Sequence, residues 1–309
     1  MYKYVLKRLV LLVPVIFGIT LIVFSILQLT PGDPGRLILG NLAPQESVNQ
    51  LNNELGYNKP LIVKYVNYMT HAVRGDFGVS YRTGIPVANE IIHRFPTTLL
   101  LALLTIITAV AIGVPLGIFS AVKQYSAIDS ISVVLAMLMS AIPGFWLGLM
   151  MIILFSIKLG WLPTSGIDSL KSFIMPTLIL AIPASAEFLR LTRATMLETI
   201  SEDYIRTARA KGATERTIIW KHALKNALLP VVTVIGIGFG NLLGGTIIAE
   251  AVFSLPGLGS YLLLAIRMKD IPQVMATVIF LATLFCIIMV FVDIAYAFID
   301  PRVKARYTN

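Results

Sequence analysis

The chain has 309 residues, of which 57% are hydrophobic and 13% charged, and its mean hydropathy is +0.82. Length alone suggests two soluble domains, but this composition excludes that and makes the chain an integral membrane protein. The net charge of +9 is then first a matter of which membrane side the charges occupy, and nucleic acid is not needed to explain it.

Crossing about 30 Å of hydrocarbon takes about 20 apolar residues. Six runs qualify: Leu9–Leu29, Pro96–Val122, Ser130–Ile157, Phe173–Leu191, Leu228–Val252 and Pro272–Ile299. Backbone groups in lipid need internal partners, so each run is predicted to be a helix. The first follows Lys3, Lys7 and Arg8 and resembles a secretory leader in outline. It is longer than a leader's apolar core and no small-x-small cleavage site follows, so it reads as an uncleaved first helix. The chain divides into a first helix (1–30), an outer helical insertion (31–95) and a core of five spans (96–309) with a cytoplasmic loop at 192–227. Prolines 14, 115, 143, 176 and 183 interrupt the spans and kink or break them. They suit a passage that opens and closes and suit ordinary packing equally.

The insertion opens on Thr30-Pro-Gly-Asp-Pro34, a rigid turn. A helix is predicted from Pro44, with Val48, Leu51 and Leu55 on one face and Gly56 as its stop. Another runs from Pro60, with Ile62, Tyr65, Val66, Met69 and Val73 at helical spacing, and a third runs from Pro86 to Phe95 into the second span. The insertion reads either as a lid packed on the bundle or as a docking surface for a soluble partner. His71 and His93 are isolated from carboxylates and thiols and make a poor metal site. The lone Cys286 sits in an apolar run and reads as a small hydrophobe.

Counted with the N-terminus inside, fifteen of the 25 basic residues lie on the inner side, against four in the short outer segments. Both termini are therefore expected in the cytoplasm. No P-loop, HExxH or GxSxG signature occurs, and no carboxylate stands in the middle of the second, third or fifth span. The deep candidates are Glu187, at the end of the fourth span, and Asp293, expected to pair with Arg302. A six-span chain without its own energy source is a passive pore or carrier, a scaffold, or the partner of an energised subunit.

Small residues in the fifth span, Gly236, Gly240 and Gly244, form a ridge suited to a tight helix seam, within the chain or with a second subunit. Between the fourth and fifth spans lies Ser201-Glu-Asp-Tyr-Ile-Arg-Thr-Ala-Arg-Ala-Lys-Gly212. Ser201 is predicted to cap a short helix, with Glu202 and Asp203 at its positive end. Tyr204, Ile205 and Ala208 form an apolar face, and Arg206, Arg209 and Lys211 load the other. Gly212 is the expected left-handed stop. Thr214-Glu215 starts a new helix through Trp220 and Lys225 towards Pro230. The motif fits a basic loop near anionic lipid, a helix-turn-helix held at the bilayer, or a lever seated in a cytoplasmic motor.

These features resemble the transmembrane subunits of bacterial ATP-binding-cassette importers, in the dipeptide, oligopeptide and nickel permease group. The likeness rests on Leu29-Thr-Pro-Gly-Asp-Pro34, Gly75-Asp-Phe-Gly-Val-Ser80 and Asp203-Tyr-Ile-Arg-Thr-Ala-Arg-Ala-Lys-Gly212. It continues through His222-Ala-Leu-Lys-Asn-Ala-Leu-Leu-Pro230, Phe253-Ser-Leu-Pro-Gly-Leu-Gly259 and Asp300-Pro-Arg302. The family's inner loop carries Glu-Ala-Ala, three residues and Gly. Aligned on Gly212 that triplet is Arg206-Thr207-Ala208, so only Ala208 and Gly212 match, and the acidic position is basic. The resemblance implies an all-α, six-span permease of the type I importer class in the bacterial inner membrane, not itself an enzyme. It implies a second homologous permease, two ATPase subunits or a fused pair that bind ATP and Mg, and an extracytoplasmic solute-binding protein. The chain would need no cofactor of its own and would touch membrane lipid but no nucleic acid. The implied ATPase contact is Glu202, Asp203, Tyr204, Arg206, Ala208, Arg209 and Gly212. The implied cargo is a di- or oligopeptide, with nickel, a metallophore, glutathione or another small solute as alternatives.

Overall fold

A computed structural model describes residues 2–29, 33–40 and 42–299. It is an all-α bundle, and among the described residues the one β feature is an isolated bridge between Val79 and Pro86. In chain order the helices are α1 (Tyr2–Leu29), α2 (Pro34–Leu39), α3 (Gln45–Glu54), α4 (Leu61–Ala72), α5 (Val87–Val122), α6 (Ala127–Ala141) and α7 (Gly144–Met151). There follow α8 (Ile174–Ser201), α9 (Asp203–Ala210), α10 (Glu215–Thr217), α11 (Leu224–Gly245), α12 (Ile247–Val252), α13 (Leu258–Met268) and α14 (Ile271–Ile299).

At the centre α5 and α8 run side by side in the same direction. Gly113 and Gly117 sit one turn apart on α5 and face the α8 backbone. A Cβ at Gly113 would collide with the Ser185 carbonyl oxygen, and one at Gly117 would stand 2.7 Å from that of Leu189. Only glycine permits this approach. Around the seam, Ile106 and Ala109 of α5 pack with Ala181 and Phe188 of α8, and α11 adds Val234, Ile235 and Phe239. The glycines singled out in the fifth span divide. α14 lies against Gly236 through Val292 and against Gly240 through Phe285, 2.9 Å from an added Cβ, whereas Gly244 has open space around it.

Three spans differ from the sequence reading. The third is not one helix. Its halves meet at 95° between Ala141 and Gly144, because Pro143 donates no hydrogen bond and forces Ile142 into extended backbone (φ −76°, ψ 125°). The fourth does not stop at Leu191. α8 has 28 residues and ends at Ser201, so Glu187 lies halfway along it. The fifth ends at Gly245, where consecutive glycines weaken the helix, and α12 continues separately. Thus, among the described residues, four helices are long and apolar enough to cross a membrane, five if the bent pair is one span, and α1 adds the apolar stretch Val13–Leu29. The expected Asp293–Arg302 pair falls outside the described side chains.

Insertion and bundle meet at the end opposite α9. The expected face of α4 is only partly the buried one. Tyr65, Met69 and Ala72 pack inward, while Ile62, Val66 and Val73 stay exposed. Tyr65 decides this rotation, since its hydroxyl donates to the Phe17 carbonyl (3.0 Å) and shares a hydrogen bond with Thr20 Oγ1 (2.8 Å). In α3 it is Asn52, not Leu55, that turns inward beside Val48. Asn52 accepts from Gly35 N–H and donates to Asp33. The segment before α5 is fastened by Ser80, whose hydroxyl donates to buried Asp270 at 2.6 Å.

Glu250, wholly buried on α12, holds the turn into α13. One carboxylate oxygen accepts from Thr98 (2.7 Å) and Thr246 (2.8 Å), and the other accepts from the Ser260 N–H (2.9 Å). Thr98 also accepts from the Leu258 N–H. Filling the α5–α8 seam should be severely disruptive: Gly117→Leu is expected to lose about 2 kcal/mol or more, read as lowered stability to denaturant in detergent, while Gly244→Ala leaves the isolated chain unchanged.

Candidate functional site

The end of the bundle away from the insertion carries α9, a two-turn helix strung between long helices. α8 runs past the predicted boundary, so Ser201 does not cap α9. It is the last residue of α8 and its hydroxyl donates to the Glu198 carbonyl at 2.7 Å. Glu202 turns the chain in extended backbone (φ −65°, ψ 148°), and α9 begins at Asp203 without a side-chain cap. The expected 201–212 helix is therefore 203–210.

One residue docks α9. Ile205 is fully buried among Ile118 and Ala121 of α5, Met196 of α8, and Ile218, Ala223 and Ala227 of the segment leading into α11. Ala208 is half-buried beside it, whereas Tyr204 is exposed rather than part of the apolar face. The Tyr204 hydroxyl accepts from Asn226 Nδ2 at 2.7 Å, which ties the start of α9 to α11. Glu202, Asp203, Arg206, Arg209 and Lys211 all face outward.

The charges are arranged locally. Arg206 stands 3.6 Å from Asp203 on the helix surface, a weak exposed pair. Arg209 grips Glu215 with two hydrogen bonds, 2.7 and 3.3 Å, bridging the turn to α10. That bond raises the Arg209 pKa above its ordinary value. Gly212 adopts φ +82° with nothing near a would-be Cβ. The left-handed backbone alone, not crowding, therefore selects glycine there. Thr214 then caps α10 by accepting from the Thr217 N–H at 3.4 Å.

Two buried carboxylates bear on this site or its frame and were missed from sequence. Asp129, at the start of α6, accepts from both arms of Arg193 on α8 (2.7 and 2.9 Å), from Ser120 (2.5 Å) and from the Tyr125 N–H (2.9 Å). It fixes the height of α8 just before α9. Ser126 one turn earlier caps α6 by accepting from the Asp129 N–H. A Ser-x-x-Asp start to an apolar run was the available signal. Glu250 was hidden because its run was counted as apolar throughout.

The arrangement presents a charged, exposed helix whose buried side is locked to α5, α8 and α11. Ile205→Ala should cost about 2–5 kcal/mol of docking and speed trypsin cleavage after Arg206 and Arg209 in detergent, whereas Asp203→Asn leaves cleavage unchanged.

The chain matches the family model for the binding-protein-dependent transport system inner membrane component over residues 113–305, and that family's N-terminal model over 1–102. It is 41% identical over 306 residues to the glutathione transport system permease protein GsiC of Escherichia coli (strain K12), covering 99% of this chain and 100% of the relative. It is also 41% identical over 332 residues to the dipeptide transport system permease protein DppB of Alkalihalophilus pseudofirmus, covering 98% and 100%. Among solved structures, an inward-facing form of the MetNI methionine ABC transporter aligns over 68% of this chain and 96% of its own with a TM-score of 0.57. At 22% identity that likeness concerns the fold.

Proposed function

This chain belongs to the family of binding-protein-dependent transport system inner membrane components and is a permease of an ATP-binding-cassette importer, and from that premise we propose that it forms half of a path for short peptides, driven through α9. Multi-pass inner-membrane residence follows from the family and from the apolar helices. The peptide cargo is supported by relatives named for glutathione and dipeptide transport. The second half of the path would come from a homologous permease.

The observation that carries the mechanism is the mounting of α9. Its apolar side is held by Ile205 and its charged side is free at one end of the bundle. On this reading that end is cytoplasmic, with both termini, and Glu202, Asp203, Tyr204, Arg206, Ala208, Arg209 and Gly212 form the contact with two ATPase subunits that hold ATP and Mg. Closure of the ATPases would displace α9, and the continuous chain into α8 and α11 would carry that displacement into the membrane. The gating requires ATP to bind the two states of the assembly unequally. At the opposite end, exposed Ile62, Val66 and Val73 on α4 offer an apolar surface to a solute-binding protein.

The test is uptake of a labelled dipeptide by proteoliposomes holding this chain, its second permease, the ATPases and the binding protein. Accumulation is expected only with ATP and all partners, and uphill uptake by the chain alone overturns the reading. Gly212→Val, a β-branched residue at positive φ, should reach the membrane in normal amount but abolish uptake and substrate-stimulated ATP hydrolysis.

A further inference from the structure

Glu187 and Arg190 stand on a stripe of α8 that stays largely exposed among the described residues. Pro183, Glu187, Arg190, Ala194 and Glu198 are exposed or half-exposed along it, while Ala186, Phe188, Leu189 and Thr192 are buried against neighbours. The pair lies midway along the 28 residues of α8, within a stretch long and apolar enough to cross a membrane. Glu187 is six residues, roughly 9 Å of helix, outward of the Asp129–Arg193 clasp. Ionisable groups at such depth face a polar cavity or a partner, not lipid. Arg190 has a way to the surface through its length, but a glutamate that far inside does not.

The carboxylate of Glu187 has no hydrogen bond or ion pair among the described residues, and it does not pair with Arg190. Arg190 donates instead to Ser140 Oγ at 3.2 Å. Ser140 is the penultimate residue of α6, next to the 95° break at Pro143. Residues 141–145 at the break are exposed or half-exposed. Irregular backbone is tolerated within a membrane only when buried in protein or lining a watery cavity. Two independent features, an unpartnered acid beside a base and an open helix break, therefore meet on one side of the chain.

We propose that Glu187, Arg190 and Ser140 form a polar subsite on the translocation path that holds a solute carrying both an ammonium and a carboxylate. This rests on the importer reading above. Three-apart side chains on a helix are neighbours. Glu187 takes the ammonium, and the Arg190 guanidinium, steadied by Ser140, takes the carboxylate with two parallel hydrogen bonds. The second permease closes the far side. A solute with one charged end leaves the opposite group unpaired and is held less well.

The experiment uses the complete transporter in proteoliposomes. Glu187→Gln is expected to raise the KM for dipeptide uptake about tenfold or more, the loss of one charge-assisted hydrogen bond. Glu187→Asp should restore much of it. In a Cys286→Ala background, Glu187→Cys should react with a cationic, membrane-impermeant thiol reagent, and dipeptide should protect it. Normal uptake kinetics in Glu187→Gln, or a residue 187 cysteine silent to the aqueous reagent, overturns the proposal. Failure of the wild-type complex to import dipeptide, with residue 187 still labelled, sinks the peptide reading and leaves a watery subsite for another zwitterion.

Discussion

Gly113 and Gly117 bring the backbones of α5 and α8 together, and the rest of the bundle is hung on that contact. With no water or driving force from apolar burial in lipid, helix association depends on close packing and on polar groups finding partners. The glycine seam supplies the packing. It places α5 and α8 so that Ile118 and Ala121 meet Met196 at one end and Leu101 meets Ile179 nearer the other. α11 and α14 then close around them through Gly236 and Gly240.

Polar satisfaction is concentrated at the helix ends, where the chain reverses. Asp129, Glu250 and Asp270 are each nearly or fully inaccessible to solvent, and each gathers donors from distinct segments. Asp129 joins α5, α6 and α8, Glu250 joins α5, α12 and α13, and Asp270 joins the segment after α4 to the start of α14. A buried carboxylate left without donors would be strongly destabilising, so these acids specify which segments meet. The apolar middles of the spans are generic by comparison.

Most of the architecture was legible because hydropathy reports what lipid tolerates. Six apolar runs, the helical insertion after the first and the charged helix with its glycine stop all follow from residue chemistry within a short window. Proline and glycine told where helices are interrupted but not how sharply. Pro14 is carried inside α1 and Pro183 inside α8, while Pro143 turns the chain by 95°. Neighbours that re-satisfy the freed groups decide which outcome holds. The fifth-span ridge meets α14 at Gly236 and Gly240 and has open space at Gly244, since small-residue spacing marks a helix face without naming its partner. Asp129 and Glu250 were illegible for a deeper reason: their donors come from remote segments, and a single sequence does not show which segments touch. At the α9 site, the glycine geometry was readable from composition, whereas the boundary of α8 was not, because Leu191–Ser201 is amphipathic and reads as loop when judged by hydropathy alone.

The Ser80–Asp270 hydrogen bond spans 190 positions of the chain. A ribosome adding about 5–20 residues per second needs on the order of ten to forty seconds to travel that interval. Throughout that time the insertion has been made but lacks this fastening, and α1 holds it through Tyr65. The segment around Ser80 is thus made early and settles late, an order of biosynthesis dictated by where one serine finds its acid.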